Sequence, residues 1–409
     1  MDIKIHKSSI ANRQSSIKIT GSKSESNRLL LLKALYPQIS IDNVSNSDDS
    51  VLMQKALKSQ EDTIDIHHAG TAMRFLTAYF SVQEGREITL TGSDRMKERP
   101  IKILVDALRA LGADISYLEN DGFPPLKIIG RKLTNNKVTL KANVSSQYIS
   151  ALLLIASKLE DGIELVLDGK ITSVPYINMT LSLLNEIDVQ TSFQKNIITV
   201  KPNKDILKPK VLTVESDWSS ASYWYSIVAL SDLGTEITIA SYKEKSLQGD
   251  AVLAEIYQSF GVQTTFKSTT VILQKLATTN SKTVIDLDLA NAPDIAQTIA
   301  VTAFGLGIGC HMKGLHTLKI KETDRLIALK TELEKLGADV VITENSLLLK
   351  ASDTIVSAIE IETYKDHRMA MAFAPLALKT SIAIKEANVV SKSYPQFWED
   401  LKAVGFIIK

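Results

Sequence analysis

The sequence has little cysteine, little excess charge and no long apolar run, and each shortage excludes a class of protein. Its 409 residues include a single cysteine, Cys310, so neither a disulfide framework within the chain nor a multi-cysteine zinc site is expected. Lysine and arginine (47) balance aspartate and glutamate (46), which argues against a strongly basic nucleic-acid binder. The most apolar stretch, residues 295–309, is interrupted by Gln297 and two threonines. It also falls short of the ~20 residues that span a bilayer.

The sequence does contain enough apolar residues to form large cores. Hydrophobic residues make up 44% of the chain, and 409 residues predict two or three domains at about 150 residues each. The first six residues, Met1 to His6, lack the apolar segment of a signal peptide. We therefore expect a cytoplasmic protein that binds neither nucleic acid nor membranes.

An internal repeat is the strongest architectural feature. Amphipathic helices end in a short turn that leads directly into a strand, as at 108–115 and 333–340. The equivalent points are Gly112, Asp188, Gly261, Gly337 and Gly405, separated by 76, 73, 76 and 68 residues. Glycine is the expected residue just beyond a helix, where the backbone turns left-handed. A period near 75 residues suits a unit of about two helices and several strands.

Four segments have the sequence of a helix N-terminus with hydroxyl residues or a nearby cation. They are Gly21–Arg28, Ala69–Arg74, Val144–Gln147 and Asp217–Ser220. Each taken alone is explained as an ordinary helix cap. Helix N-termini also attract phosphate and carboxylate, because their N–H groups are free and carry partial positive charge. The occurrence of several such segments, two of them with arginine, favours anion binding.

Three further segments place acids and bases together at the start of apolar helices: Arg95–Pro100, Lys319–Arg325 and Lys365–Ala372. A run of charges usually forms a solvated face. The transition into apolar helices instead suggests the edge of a cleft. Buried or paired acids in such a cleft can exchange protons near neutral pH.

Taken in order, these motifs resemble those of the 5-enolpyruvylshikimate-3-phosphate synthase family over nearly the whole chain. The matching segments are Gly21–Ser24 with Asn27-Arg28, Ala69–Arg74, Arg95–Pro100, Ser145–Gln147, Pro293-Asp294, Lys321–Arg325, Asp366–Met371 and Lys392–Pro395.

The resemblance implies an α/β fold, the two-domain, inverse α/β barrel-like enolpyruvyl transferase fold with six βαβαββ repeats. The first domain would comprise 1–19 and 215–409, the second 20–214, with the active site in the cleft between them. The implied reaction moves the enolpyruvyl group of phosphoenolpyruvate to the 5-hydroxyl of shikimate 3-phosphate and releases phosphate. The resemblance implies no metal or organic cofactor, and we expect a monomer.

The resemblance also implies a set of site residues. Shikimate 3-phosphate would contact Lys23, Ser24, Arg28, Ser145, Ser146, Gln147, Ser173, Tyr176, Asp294 and Lys321. Phosphoenolpyruvate would contact Lys23, Gly70, Arg95, Gln147, Arg325, Arg368 and Lys392. In catalysis, Asp294 would act as base on the 5-hydroxyl and Glu322 would carry the proton to and from the methylene carbon. Lys23 and Lys392 would balance the charge of the departing phosphate, with Lys23 also able to shuttle a proton.

Four positions depart from the usual pattern of this family: His68, Phe75, Val174 and Thr317. Glyphosate would occupy the phosphoenolpyruvate site, where Gly70 favours sensitivity and Phe75 could reorient the Gly70 loop.

Two alternatives to this function remain. The related UDP-N-acetylglucosamine enolpyruvyl transferases usually carry a reactive cysteine in a mobile loop of the domain that corresponds to 20–214 here, whereas Cys310 lies in the other domain. A non-catalytic binder of phosphorylated metabolites would not need Asp294 and Glu322.

Overall fold

The computed structural model describes residues 1–10, 14–142, 145–169, 171, 174–203, 208–278 and 284–409, which form two compact units. Unit 1 comprises Met1–Thr20 and Glu215–Lys409, and unit 2 comprises Gly21–Val214. The predicted boundary assigned Thr20 to the second domain, but Thr20 belongs to unit 1. Its carbonyl oxygen accepts a hydrogen bond from the backbone N of Asp217, at 3.2 Å.

Strands and helices alternate along the chain. The strands are β1 (Ile3–Ile5), β2 (Gln14–Ile17), β3 (Ile39–Asp42), β4 (Thr63–Asp65), β5 (Glu87–Thr91), β6 (Asp114–Tyr117), β7 (Leu126–Ile129), β8 (Lys137–Lys141), β9 (Ile163–Asp168), β10 (Thr191–Gln194), β11 (Ile197–Val200), β12 (Lys210–Thr213), β13 (Glu236–Ala240), β14 (Val262–Lys267), β15 (Thr270–Lys275), β16 (Val284–Asp288), β17 (Gly309–Lys313), β18 (Val340–Ile342), β19 (Leu347–Leu349), β20 (Ile359–Ile361) and β21 (Ile382–Ile384). The α-helices are α1 (Lys23–Leu35), α2 (Asp48–Lys58), α3 (Gly70–Ser81), α4 (Asp94–Lys97), α5 (Lys102–Leu111), α6 (Ser146–Ala156), α7 (Val174–Glu186), α8 (Trp218–Leu230), α9 (Leu253–Ile256), α10 (Ala296–Gly305), α11 (Arg325–Lys335), α12 (His367–Phe373) and α13 (Phe397–Ala403).

Two sheets of unit 2 have the same strand arrangement. In the first, β4 pairs parallel with β5, and β7 pairs antiparallel with both β5 and β6. In the second, β8, β9, β11 and β10 repeat this order and these directions. In each sheet one helix (α3 or α6) joins the two parallel strands, and a second (α5 or α7) leads to the third strand. Each sheet with its helices is therefore one βαβαββ repeat.

Unit 1 contains the same repeat. The sheets β2-β13-β15-β14 and β16-β17-β19-β18 have the identical arrangement. A third sheet has the order β20-β21-β1, and a single bridge between Ile5 and Ile408 stands where the fourth strand would pair. The remaining repeat belongs to unit 2 and, among the described residues, consists of the parallel pair β12-β3 with α1 and α2.

The five equivalent points of the sequence repeat share one backbone conformation. All have positive φ: 107° at Gly112, 64° at Asp188, 77° at Gly261, 98° at Gly337 and 112° at Gly405. Each follows the last helical segment of its repeat. Left-handed backbone at this place reverses the chain toward the third strand, and glycine adopts it at little cost. The period near 75 residues therefore measures one βαβαββ unit.

The first helix of each repeat lies in the core of its unit. In unit 2, α3 packs against α1 and α6, and every residue of α3 is buried. In unit 1, α10 packs against α8 and α12, and α10 and α12 are buried throughout. Polar residues at the N-terminal ends of these helices are consequently held on a rigid frame. No helix in the described part of the chain is long and apolar enough to cross a membrane.

Candidate functional site

The core helices of unit 2 begin with serine or alanine caps. Ser22 caps α1 by accepting a hydrogen bond from the backbone N of Glu25 (3.4 Å), and Ser145 caps α6 by accepting one from Gln147 N (3.3 Å). Ala69 precedes α3 and provides no side-chain cap. The first turn of α1 carries the acidic Glu25, whereas those of α3 and α6 carry no acid. The neutral caps of α3 and α6 therefore leave the partial positive charge of the helix N-terminus largely uncompensated, which suits an anionic ligand.

Arg28 is a buried cation that joins several elements of unit 2. Its Nε donates to Thr180 Oγ1 (2.8 Å), one Nη to the carbonyl oxygen of Ser24 (2.7 Å) and the other to Ser150 Oγ (2.8 Å). Its guanidinium carbon lies 5.4 Å from the ring centre of Phe75. Burial lowers the pKa of Arg28 to about 10, which leaves it charged at neutral pH.

Other residues expected in the site lie close to Arg28. The ring centre of Tyr176 is 5.9 Å from the guanidinium carbon, and the carbonyl oxygen of Tyr176 accepts a hydrogen bond from Arg28 (3.4 Å). Lys23, the first residue of α1, adjoins Ser24 and is partly exposed. Ser173 lies outside the described residues.

The start of α3 is covered by Arg99, a residue that is not among those expected in the site. A Cβ atom at Gly70 would lie 2.6 Å from Nη1 and 3.0 Å from Cζ of Arg99. Pro100, the next residue, is fixed because its carbonyl oxygen accepts hydrogen bonds from Arg74 Nη2 (3.1 Å) and Tyr148 OH (2.7 Å). The backbone beside Arg99 is thus fixed, and the guanidinium of Arg99 lies at the N-terminus of a core helix.

Arg95, which was expected to contact phosphoenolpyruvate, has different surroundings. Its side chain is 55% exposed and pairs with Glu98 at 2.8 Å. Gln147 does lie beside α3, because its Nε2 donates to Thr71 Oγ1 (3.2 Å). In unit 2, the structure therefore brings together Gly70, Gln147 and Arg99, and leaves Arg95 at the surface.

The core helices of unit 1 begin with aspartate. Asp217 caps α8 by accepting from Ser220 N (2.8 Å), and Asp366 caps α12 by accepting from Arg368 N (2.8 Å). Asp294 lies in the 3-10 turn Pro293–Ile295 that leads into α10. Negative charge at a helix N-terminus is favourable.

Arg325 binds three acidic side chains of unit 1. Its Nε donates to Asp366 (2.6 Å), Nη1 to Asp294 (2.9 Å) and Nη2 to Glu322 (2.8 Å). Only 2% of the Arg325 side chain is exposed. Burial opposes the charge of Arg325, but the three carboxylates outweigh burial and raise its pKa above the ordinary value. Two expected site residues, Asp294 and Glu322, therefore share one guanidinium.

Asp294 is surrounded by cations. Besides Arg325, its carboxylate accepts from Arg368 Nη2 (3.1 Å) and lies 3.4 Å from Lys321 Nζ. Burial alone would raise the pKa of Asp294, but Arg368, Lys321 and Arg325 outweigh burial and hold that pKa well below the usual range. Asp294 is thus ionised, and any anion that draws these cations away would raise its pKa.

Asp250 is a second buried acid beside this group, and no motif of the sequence points to it. Arg368 Nη2 donates to Ser219 Oγ (3.3 Å), and the Ser219 hydroxyl donates to Asp250 Oδ2. Burial and the charge of Asp294 raise the pKa of Asp250 to about 7. Its Oδ1 has no hydrogen-bond partner within the described ranges. Two nearby acids with opposite pKa shifts are typical of acid–base sites.

Lys392 joins the same region through the backbone. Its Nζ donates to the carbonyl oxygen of Lys365 (2.8 Å), in the turn that precedes Asp366. With Lys392, the structure connects all six site residues that were expected in unit 1: Asp294, Lys321, Glu322, Arg325, Arg368 and Lys392.

The described residues include no group of three or more histidine, cysteine, aspartate or glutamate side chains suited to a metal ion. The two clusters are suited to binding anions, and the unit 1 cluster adds acids that carry protons.

Comparison with known proteins gives one family. The chain matches the family described as EPSP synthase (3-phosphoshikimate 1-carboxyvinyltransferase) over residues 52–401. A 3-phosphoshikimate 1-carboxyvinyltransferase of Bacteroides fragilis (strain ATCC 25285) is 47% identical over 401 residues, covering 97% of this chain and 96% of that protein. The enzyme of the same name from Colwellia psychrerythraea is 37% identical, covering 95% of this chain and 96% of that protein.

Solved structures with the same fold include an EPSP synthase from Acinetobacter baumannii, with a TM-score of 0.80 and 20% identity. The match covers 100% of this chain and 99% of that one. The enolpyruvyl transferase NikO from Streptomyces tendae gives a TM-score of 0.77 at 14% identity, covering 100% of this chain and 98% of that one. The predicted enolpyruvyl transferase fold is confirmed.

Proposed function

The chain belongs to the EPSP synthase family, and on that premise we propose that it converts phosphoenolpyruvate and shikimate 3-phosphate into the 5-enolpyruvyl ether and phosphate. The observation that carries the proposal is the group of Arg325, Arg368, Asp294 and Glu322 in unit 1. Cations alone would suffice to bind a phosphorylated metabolite. Carboxylates held on the same guanidinium add groups that can take up and release protons.

Shikimate 3-phosphate is assigned to Lys23, Ser24, Arg28, Ser145, Ser146, Gln147, Ser173 and Tyr176 of unit 2, with Asp294 and Lys321 of unit 1. Its phosphate and carboxylate are suited to neutral helix caps with nearby cations, as at α1 and α6. Arg28 is already fixed by Thr180, Ser150 and the backbone of Ser24, so little side-chain freedom is lost when it binds the substrate.

Phosphoenolpyruvate is assigned to Lys23, Gly70 and Gln147 of unit 2 and to Arg325, Arg368 and Lys392 of unit 1. Arg95 is left out, because its side chain is 55% exposed and pairs with Glu98. We add Arg99, because its guanidinium lies against Gly70, where the backbone of α3 is also available to an anion. In unit 1, Arg368 Nε has no hydrogen-bond partner in the described part of the chain. That atom is a donor available to a carboxylate or phosphate.

The addition step joins the 5-hydroxyl oxygen of shikimate 3-phosphate to C2 of phosphoenolpyruvate. The hydroxyl proton passes to Asp294, or to Lys23 as the alternative carrier, while Glu322 protonates C3 to form a methyl group. In the elimination step the bond from C2 to the phosphate oxygen breaks, with Lys23 and Lys392 balancing the charge of the departing phosphate. Glu322 then takes a proton back from C3 and regains the protonated form in which it began. The hydroxyl proton held by Asp294 or Lys23 passes to the departing phosphate, so that both protons and the phosphate are accounted for.

The electrostatics of Asp294 make this base role dependent on substrate. With Arg368, Lys321 and Arg325 around it, Asp294 has a low pKa and is a weak base. Anionic substrates compete with Asp294 for the same cations. Each cation drawn to a phosphate or carboxylate raises the pKa of Asp294, so its basicity increases when the substrates are bound.

The rival acceptor, UDP-N-acetylglucosamine, is disfavoured by the environment of the single cysteine. Cys310 is fully buried in β17, and burial raises the pKa of its thiol to about 12. A reactive cysteine is instead exposed and has a lowered pKa.

The test is a phosphate-release assay with both substrates, each substrate alone, and UDP-N-acetylglucosamine in place of shikimate 3-phosphate. We expect phosphate release only with phosphoenolpyruvate and shikimate 3-phosphate together. Release with the sugar nucleotide would favour the rival enzyme. Binding of both phosphorylated compounds without any release would indicate a non-catalytic binder.

A further inference from the structure

A buried glutamate outside the expected site holds the turn that precedes Asp366. Glu332 on α11 is fully buried, and its Oε1 accepts a hydrogen bond from Tyr364 OH at 2.6 Å. Its Oε2 accepts one from the backbone N of Glu362 at 3.1 Å. Lys335 Nζ lies 2.9 and 2.8 Å from the two oxygens and balances the charge. Glu332 thus connects α11 to residues 362–364.

The turn that Glu332 holds has an unfavourable backbone. Tyr364 and Lys365 are consecutive non-glycine residues with φ of 53° and 56°. The turn closes when Asp366 N donates to the carbonyl oxygen of Thr363 at 2.8 Å. Side chains disfavour this left-handed region, so such a turn persists only where surrounding contacts hold it. The bonds from Glu332 to Glu362 N and Tyr364 OH are contacts of that kind.

The same turn sets the positions of cations in the unit 1 site. The carbonyl oxygen of Lys365 accepts from Lys392 Nζ (2.8 Å), and the next residue, Asp366, binds Arg325 Nε (2.6 Å). Asp366 also accepts from the backbone N of Arg368 (2.8 Å) and so fixes the start of α12. A change in the turn would therefore shift Arg325, Arg368 and Lys392 together.

We propose that Glu332 and Tyr364 are positioning residues for phosphoenolpyruvate, because they hold the left-handed turn that aligns Arg325, Arg368 and Lys392. This inference rests on the proposed function, which assigns those three cations to phosphoenolpyruvate. Neither residue touches the substrate. Their effect passes through the backbone of residues 364–366, so it falls mainly on binding of phosphoenolpyruvate.

The first test is Glu332→Gln, which keeps the size of the side chain but removes its charge. We expect the KM for phosphoenolpyruvate to rise about tenfold, the effect of one lost charged hydrogen bond. The KM for shikimate 3-phosphate should change less than about twofold, because most of its assigned contacts lie in unit 2. Glu334→Gln is the matched control, since Glu334 is exposed on the same helix and pairs with Lys330. It should behave like the wild type.

Two further variants separate positioning from general stability. Tyr364→Phe removes one hydroxyl and should raise the same KM by a smaller factor, even if Glu332→Gln fails to fold. Glycine adopts positive φ without a side-chain penalty. Adding Lys365→Gly to Glu332→Gln should therefore restore much of the phosphoenolpyruvate KM. A purely structural role for Glu332 predicts no such rescue.

The outcomes separate this inference from the proposed function. An active wild type with unchanged phosphoenolpyruvate KM in both Glu332→Gln and Tyr364→Phe overturns the positioning role alone. An equal rise in both substrate KM values, with no rescue by Lys365→Gly, overturns it as well. A wild type that neither binds phosphoenolpyruvate in calorimetry nor releases phosphate overturns both proposals.

Discussion

Unit 1 and unit 2 are built from the same repeat, yet their core helices begin with opposite chemistry. In unit 2 the caps are Ser22, Ala69 and Ser145, and cations such as Arg28 and Arg99 lie nearby. In unit 1, Asp217, Asp294 and Asp366 occupy the equivalent helix starts, and Arg325 and Arg368 bind two of them.

This difference indicates how one scaffold supports two tasks. Neutral caps with no acid in the first turn leave the N-termini of α3 and α6 in unit 2 open to phosphate or carboxylate, so that unit is suited to holding an anion. The acids of unit 1 already neutralise their helix ends and neighbouring arginines. An arriving anion must exchange with a carboxylate there, and that exchange changes the pKa of the acid. The variants below test this division.

The largest effect is expected at Glu322, the proposed proton carrier of unit 1. Glu322→Gln keeps a hydrogen-bond acceptor for Arg325 but cannot carry a proton. Turnover should fall by roughly 100-fold or more, the usual scale of lost acid–base catalysis. Binding of shikimate 3-phosphate, measured by calorimetry, should persist. Near-normal turnover would remove Glu322 from the mechanism and weaken the assignment of chemistry to unit 1.

A pH-dependent effect on stability is expected at Asp250. Its pKa is raised by burial and Asp294 to about 7. Between pH 4 and 7 the folded carboxyl keeps a proton that the unfolded one has released, so the free energy of unfolding falls as pH rises. Asp250→Asn should abolish a loss of about 3 kcal/mol between pH 5 and 8.

Urea unfolding followed by tryptophan fluorescence reports on unit 1, the unit that contains Asp250. All three tryptophans, Trp218, Trp224 and Trp398, lie in unit 1 with Asp250. Asp161→Asn, an exposed substitution in unit 2, is the control and should leave the pH dependence unchanged. A pH dependence of unfolding that is the same in Asp250→Asn and the wild type would contradict the raised pKa.

Features set by local sequence could be predicted, whereas those set by tertiary contacts could not. The repeat was predictable because the reversal after the second helix favours glycine, as at Gly112 and Gly337. The caps at Ser22, Ser145 and Asp217 follow from side chains that accept hydrogen bonds from their own helices. Asp250 carries no such local signal, since only the chain fold brings it beside Ser219 and Asp294.

The choice between Arg95 and Arg99 shows the same limit within one motif. Both arginines belong to the segment 95–100, so its composition supports either as an anion ligand. Arg95 lies within the short helix α4 and is exposed, whereas Arg99 follows that helix and reaches Gly70. Only the packing of this segment against α3 distinguishes them.

An effect smaller than that of Glu322→Gln is expected when Arg99 or Arg95 of unit 2 is replaced. Arg99→Ala should raise the KM for phosphoenolpyruvate by about 10-fold or more, as for the loss of a charged hydrogen bond. Arg95→Ala should change it by less than about threefold, because exposed ion pairs contribute little. Equal effects from both variants would restore Arg95 to the phosphoenolpyruvate site.

Gly70→Ala tests the same contact from the opposite side. Its new methyl group would lie 2.6 Å from the present position of Arg99 Nη1, so the guanidinium must move. We expect the phosphoenolpyruvate KM to rise by part of the Arg99→Ala effect, and the double variant to add little to Arg99→Ala alone. Fully additive effects would indicate that Gly70 and Arg99 act independently.

The smallest effect is expected at Phe75, whose ring lies 5.4 Å from the guanidinium carbon of Arg28. Phe75→Leu removes this cation–π contact and should raise the KM for shikimate 3-phosphate about two- to fivefold. The phosphoenolpyruvate KM and the inhibition constant of glyphosate should stay within twofold, because the Gly70–Arg99 contact is left in place. Phe80→Leu is the matched control, since it replaces another buried ring of α3. The Phe80 ring packs on Tyr79. If Phe75→Leu changed glyphosate inhibition but left the shikimate 3-phosphate KM unaltered, residue 75 would act through the Gly70 loop and not through Arg28.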